Sequence, residues 1–241
     1  MNSPPRHLRF VDLLIFLASL LGLAVGAAVL LAAWIGPERL AKAMPEAGGG
    51  DPMAMLALLA TFFLIGLPAV AIAVARHGRA APALLALHLS GGRWLWLAPI
   101  AVLIVSFSID ESILRLVREF AGSDVLPTVN AVIAEIATTP GRVVLAILVI
   151  GVLAPLVEEL VFRGLLYGYV EGRFGAMAAL IVSSLAFAAA HVEPIHVALV
   201  LPIGVLLGWT RLRTGSLWPA IAAHVANNTV AVLASYLLRS G

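Results

Sequence analysis

The 241-residue sequence contains no cysteine. That excludes a disulfide framework, a thiol nucleophile and a cysteine-based metal site. It is also short of charge: 12% of residues are Asp, Glu, Lys or Arg, against 62% hydrophobic. Soluble domains carry about 25% charged and about 45–50% apolar residues. The mean hydropathy of +1.06 points the same way, so a bilayer is the expected surrounding of most side chains. No Lys/Arg-rich run interrupts the chain, and the formal net charge is +2. This suits a lipid bilayer with an anionic surface and gives no footprint for nucleic acid. HExxH and GxSxG are both missing, which leaves neither the zinc-protease helix nor the serine elbow. No alternating ten-residue pattern of a membrane barrel is present, so the spans are expected to be helices.

A helix needs about 20 apolar residues to cross the hydrocarbon core. Seven segments read as spans: about 10–35, 53–75, 94–109, 143–170, 175–195, 197–210 and 216–238. An eighth, partial one falls around 80–90. The expected fold is all-α, a polytopic bundle of about seven to eight transmembrane helices with the active site inside it. Residues 1–140 supply N-terminal spans and loops, and 141–238 the catalytic helical core, as one integrated membrane domain. The run from Phe10 is too long for a signal-peptide core and reads as a retained first span. Residues 36–52 are polar and rich in Gly and Pro, hence a loop. Residues 110–121 alternate charge with apolar positions and read as an amphipathic helix at the interface. His77 and His88 fall in or near loops and read as solvated. The five tryptophans fit an interfacial belt. Eight Lys/Arg on one side of the loops against six on the other place the N-terminus inside and the C-terminus outside.

An ionisable side chain at the centre of a span costs at least about 2.5–3.5 kcal/mol. The fourth span nonetheless carries Glu158, Glu159 and Arg163 after Pro155. Glu159 and Arg163 are four apart and pair on one face. Glu158 lies about 100° around the helix and faces another neighbour. On the fifth span Phe187 and His191 share a face, with small residues between them that admit close helix packing. On the seventh, His224 and Asn228 share a face beside Asn227. With spans centred near 156, 186 and 226, these groups fall in a slab roughly 10 Å thick at about 1.5 Å per residue.

Such a set has the tools to hydrolyse an amide without a covalent intermediate. A desolvated carboxylate beside a histidine takes a proton from water. A second histidine and an asparagine amide stabilise the developing oxyanion. Two histidines and a glutamate also suit zinc, and the zinc set would be Glu158, His191 and His224. Ser183 and Ser184 lie about two turns from His191 and make a poor triad.

Three pieces stand in order on the spans: Glu158-Glu159-Leu-Val-Phe-Arg163, Phe187-Ala-Ala-Ala-His191 and His224-Val-Ala-Asn-Asn228. They resemble the EExxxR, FxxxH and HxxxN pattern of the CAAX-protease and bacteriocin-processing (CPBP, or Abi) family of intramembrane proteases. The likeness covers about residues 140–235. It implies that Glu158 and His191 activate water, that His224 and Asn228 stabilise the oxyanion, and that Glu159 and Arg163 support the site. No cofactor is required in the glutamate-dependent reading, and zinc belongs to the metal-dependent one. His196 matches no motif position and is left out of the site. Asn227 and Phe187 read as packing residues.

The expected function is endopeptidase action on a membrane-anchored peptide or protein. Two other classes share these features. A non-catalytic relative would bind a membrane peptide, as an immunity or scaffold protein does. A small transporter also keeps carboxylates and histidines in its spans, although the inverted repeat of that class is not seen. With no organelle-targeting signal and an Ala/Leu/Val-rich composition, the expected location is a bacterial cytoplasmic membrane. Oligomeric state has no signature in the sequence.

Overall fold

The computed structural model describes residues 7–35, 51–90, 92–121 and 128–238. Among them there are only helices and connections. The principal helices are α1 (Phe10–Ile35), α2 (Pro52–Ala75), α3 (Trp94–Ala121), α4 (Thr128–Ile136), α5 (Pro140–Phe174), α6 (Ala176–Ala189), α7 (Pro194–Thr214) and α8 (Trp218–Leu237). By length and composition α1, α2, α5, α7 and α8 can each cross a membrane. Trp94–Ile109 and α6 are shorter apolar helices. The chain is an all-α polytopic membrane bundle.

Local chemistry sets the helix starts. Asp51 accepts a hydrogen bond from the Met53 amide at 3.0 Å, and Pro52 opens α2. Thr139 accepts from the Arg142 amide at 3.4 Å, and Pro140 opens α5. A side-chain acceptor at the cap satisfies an amide that has no partner within the helix, and a proline at the first position removes another. Gly175, at φ +83°, turns the chain from α5 into α6.

Four expectations change. Residues 110–121 do not form a separate interfacial helix. They continue α3 without a break from Trp94, since nothing between 109 and 121 is Gly or Pro and extending a formed helix is cheap. The segment around 80–90 is no span, only two short turns, Gly78–Ala80 and Ala81–Leu84. The sixth span begins at Pro194, runs to Thr214 and keeps Pro202 inside it. His77 is not solvated: it is buried with its Nε2 3.0 Å from Asp12 Oδ1. Arg76 Nε donates to the same oxygen at 2.6 Å, and the Arg9 amide to Asp12 Oδ2 at 2.6 Å. That cluster ties the start of α1 to the end of α2, across 65 residues that local reading cannot connect. Most of the loop expected at 36–52 lies outside the described residues.

α5 lies among α2, α6 and α8. A Cβ on Gly66 of α2 would sit 2.6 Å from Val157 Cγ1, and one on Gly151 would sit 2.9 Å from Thr229 Oγ1 of α8. Glycines at these two crossings let α2 and α8 close on α5, as small residues do between membrane helices.

Candidate active site

The site is built on α5. Its backbone is not uniform: Ile147–Leu153 and Leu160–Leu166 are π-helical, and a short α-helical stretch, Ala154–Glu159, separates them. Such segments are rare and recur at functional sites. The two glutamates close the α-helical stretch, and they point to different surroundings. The Glu159 side chain is fully buried, and that of Glu158 is 20% exposed and lines a cavity.

Glu159 is the hub of a buried network. Its Oε1 accepts from Arg163 Nη1 at 2.7 Å, the pair expected one turn apart. The same oxygen lies 3.0 Å from His224 Nδ1. Arg163 Nη2 donates to the Gly204 carbonyl at 2.8 Å, and Ser184 Oγ donates to that carbonyl at 3.0 Å. The guanidinium also lies over the Phe187 ring, 4.3 Å from its centroid. One ion pair thus joins α5, α6, α7 and α8. Gly204 is the tight point, since a Cβ there would meet Phe187 Cδ1 at 2.9 Å and Arg163 Nη2 at 3.4 Å. Gly204→Ala is expected to destabilise the protein by about 1–3 kcal/mol, the usual cost of overpacking. Thermal unfolding in detergent checks this against Gly141→Ala, where a Cβ would meet nothing within 4 Å.

The cavity has a volume of about 290 Å³. Glu158, His191, His224 and Asn228 all line it, so the structure brings the four expected site residues to one space. Glu159 and Arg163 stand behind this wall. His224 reaches across: with Nδ1 on Glu159, its Nε2 lies 3.6 Å from Glu158 Oε2. That is too long for a direct hydrogen bond, and both atoms remain available to a guest. His191 Nδ1 lies 2.9 Å from the Phe187 carbonyl, one turn back. A carbonyl only accepts, so the Nδ1 proton is assigned there and Nε2 keeps its lone pair. Phe187 packs edge-on against His191 and His224, the wall expected of it.

Sequence reasoning left three polar lining residues out: His196, Asn227 and Ser106. His196 stacks edge-on with His191 at 4.6 Å between ring centroids and lines the cavity. The turn between α6 and α7 brings them together, so helix-face spacing could not reveal it. Asn227 also lines the cavity, and its Nδ2 donates to Asn228 Oδ1 at 3.3 Å. The opposite wall is Leu59 and Phe63 of α2, Ser106 of α3, and Val132 and Ile133 of α4.

Zinc on Glu158, His191 and His224 is the metal-dependent reading of this donor set. Among the described residues, no three His, Cys, Asp or Glu side chains form a group able to hold a metal ion. Glu158, His191 and His224 share the cavity without making such a group. The two histidine Nδ1 atoms are engaged, His191 on the Phe187 carbonyl and His224 on Glu159, which leaves each Nε2 as the ring atom that would meet a metal.

Residues 140–230 match a family model described as type II CAAX prenyl endopeptidase, Rce1-like. The stretch is Rce1-like. It is consistent with the CAAX-protease and bacteriocin-processing family, and it holds Glu158 through Asn228. A Bacillus subtilis (strain 168) protein, YdiL, whose name presents it as a candidate membrane peptidase, is 30% identical over 89 residues. That match covers 37% of this chain and 36% of the relative, so the chain spans about a third of the length of the curated relative it matches. No solved structure matches the chain. The cavity wall from α2, α3 and α4 lies outside the Rce1-like stretch.

Proposed function

We propose that the protein is an intramembrane endopeptidase that hydrolyses a peptide bond of a membrane-anchored protein or peptide. The observation that carries this reading is the convergence of Glu158, His191, His224 and Asn228 on one cavity within a helical membrane bundle. The Rce1-like stretch supports the reaction class. Substrates of this class include prenylated CAAX-like C-termini, processed peptides and membrane-anchored tails.

The proposed chemistry follows from which atoms are free. Water sits between Glu158 and His191, whose Nε2 lone pair accepts one of its hydrogens. Glu158 takes the other proton as the water oxygen attacks the scissile carbonyl carbon. Glu159 holds His224 Nδ1, and this aims Nε2 at the oxyanion. One Asn228 Nδ2 hydrogen supplies the second donor. Collapse breaks the C–N bond, and Glu158 returns its proton to the leaving amine. Glu159 and Arg163 position His224 and do not touch the substrate.

Asn228→Ala tests this reading. Loss of one oxyanion donor is expected to lower kcat about 10²–10³-fold. The assay uses purified protein in phosphatidylethanolamine/phosphatidylglycerol vesicles with lipid-anchored peptides of randomised sequence, read by mass spectrometry of new termini. Wild-type turnover in Asn228→Ala would overturn the oxyanion assignment.

A further inference from the structure

Asn228 needs a fixed amide to aim a hydrogen at an oxyanion, and the π-helical start of α5 supplies the anchor. In Ile147–Leu153 the backbone bonds run from residue i to i−5, and the Ala154 amide accordingly donates to the Val149 carbonyl. In an α-helix that amide would have gone to Ile150 instead. In the π register the Ile150 carbonyl would be served by the amide of residue 155. Residue 155 is proline, which has no N–H. With the Ala154 amide on Val149 and no amide hydrogen at 155, the Ile150 carbonyl lacks a helical donor in the observed π register. A backbone acceptor without a helical donor inside a bilayer has to find a partner elsewhere. It finds Asn228 Nδ2, at 3.2 Å. Gly151 beside it allows α8 to come close enough. Asn227 Nδ2 holds the other end of the same amide, at Oδ1. One Nδ2 hydrogen is thereby fixed on α5, and the second is left for the cavity.

We propose that Pro155 is a positioning residue that keeps the Ile150 carbonyl free to orient the Asn228 amide as an oxyanion donor. This deepens the peptidase reading and rests on it. An alanine at 155 restores the missing N–H. It either bonds Ile150 directly or lets the turn relax to the α register, where the Ala154 amide takes that carbonyl. In both cases the acceptor is drawn along the helix axis and away from α8.

The test is a cycle on a peptide that wild type cleaves in the vesicle assay above. Pro155→Ala is expected to lower kcat about tenfold or more, with KM within about twofold, as for an interaction made only in the transition state. In the Asn228→Ala background the same change is expected to have no further effect, because residues acting through one contact are not additive. Pro155→lactic acid places an ester with neither ring nor N–H, and is expected to keep wild-type kcat. It also serves as the deciding variant if Pro155→Ala does not fold. Wild-type kcat in Pro155→Ala, a full further loss in the Asn228→Ala background, or a loss in the ester variant equal to that of alanine would each overturn the positioning role. Failure of the peptidase reading looks different, since wild type itself would then cleave none of the peptides.

Discussion

Glu159→Ala is expected to cost the protein about 3–5 kcal/mol, the range for removing one partner of a buried ion pair. Arg163 is fully buried and would keep its charge in a membrane interior without its carboxylate. The Gly204 carbonyl and the Phe187 ring still touch the guanidinium, but neither carries a compensating charge. The network has no slack elsewhere: among the described residues, Glu159 Oε2 and Arg163 Nε have no hydrogen-bond partner. The loss should also reach the cavity. His224 Nδ1 would have no acceptor, and the ring would be free to turn Nε2 away from Glu158. Thermal unfolding in detergent measures the first effect. An unfolding midpoint equal to wild type would contradict the buried-pair reading. Replacing both partners by Leu and Met, which removes the charges together, is expected to recover most of the stability. Turnover should stay low in that double variant, because His224 is still unheld. The two readouts separate support of the fold from support of the chemistry.

Much of this site was legible in the sequence, and the reason is helical periodicity. Glu159 with Arg163, Phe187 with His191, and His224 with Asn228 are each four residues apart. That spacing alone puts each pair on one face, and ionisable groups in apolar spans announce themselves by their cost. The spans were legible for a related reason, since twenty apolar residues have few other uses. What spacing could not give was contact between helices. The bond from His224 to Glu159 joins residues 65 apart, and nothing local in either helix encodes it. His196 sits in the first turn of α7 and meets His191 only because the connection from α6 folds back, which no helix-face rule reveals. Leu59, Phe63, Val132 and Ile133 line it as ordinary apolar residues, indistinguishable in sequence from those facing lipid. Pro155 read as a bend in the fourth span. Its missing N–H became informative only once the π register and the Asn228 contact were in view.

Glu158→Gln is the second large expectation. The substitution keeps size and one acceptor oxygen and removes the basic carboxylate. A positioned general base contributes about 10²–10⁴-fold, so turnover should fall by that factor or below detection. Stability should change little, because the Glu158 side chain is partly exposed to the cavity and makes no direct hydrogen bond to His224. Its effect is therefore opposite in kind to that of Glu159→Ala, although the two residues are neighbours. The deciding measurement reconstitutes wild type and Glu158→Gln side by side in vesicles with the lipid-anchored peptides, and counts new termini by mass spectrometry. Products from wild type, and none from an equally folded Glu158→Gln, are the expected result. Equal products from both proteins would contradict a peptidase whose water is activated by Glu158.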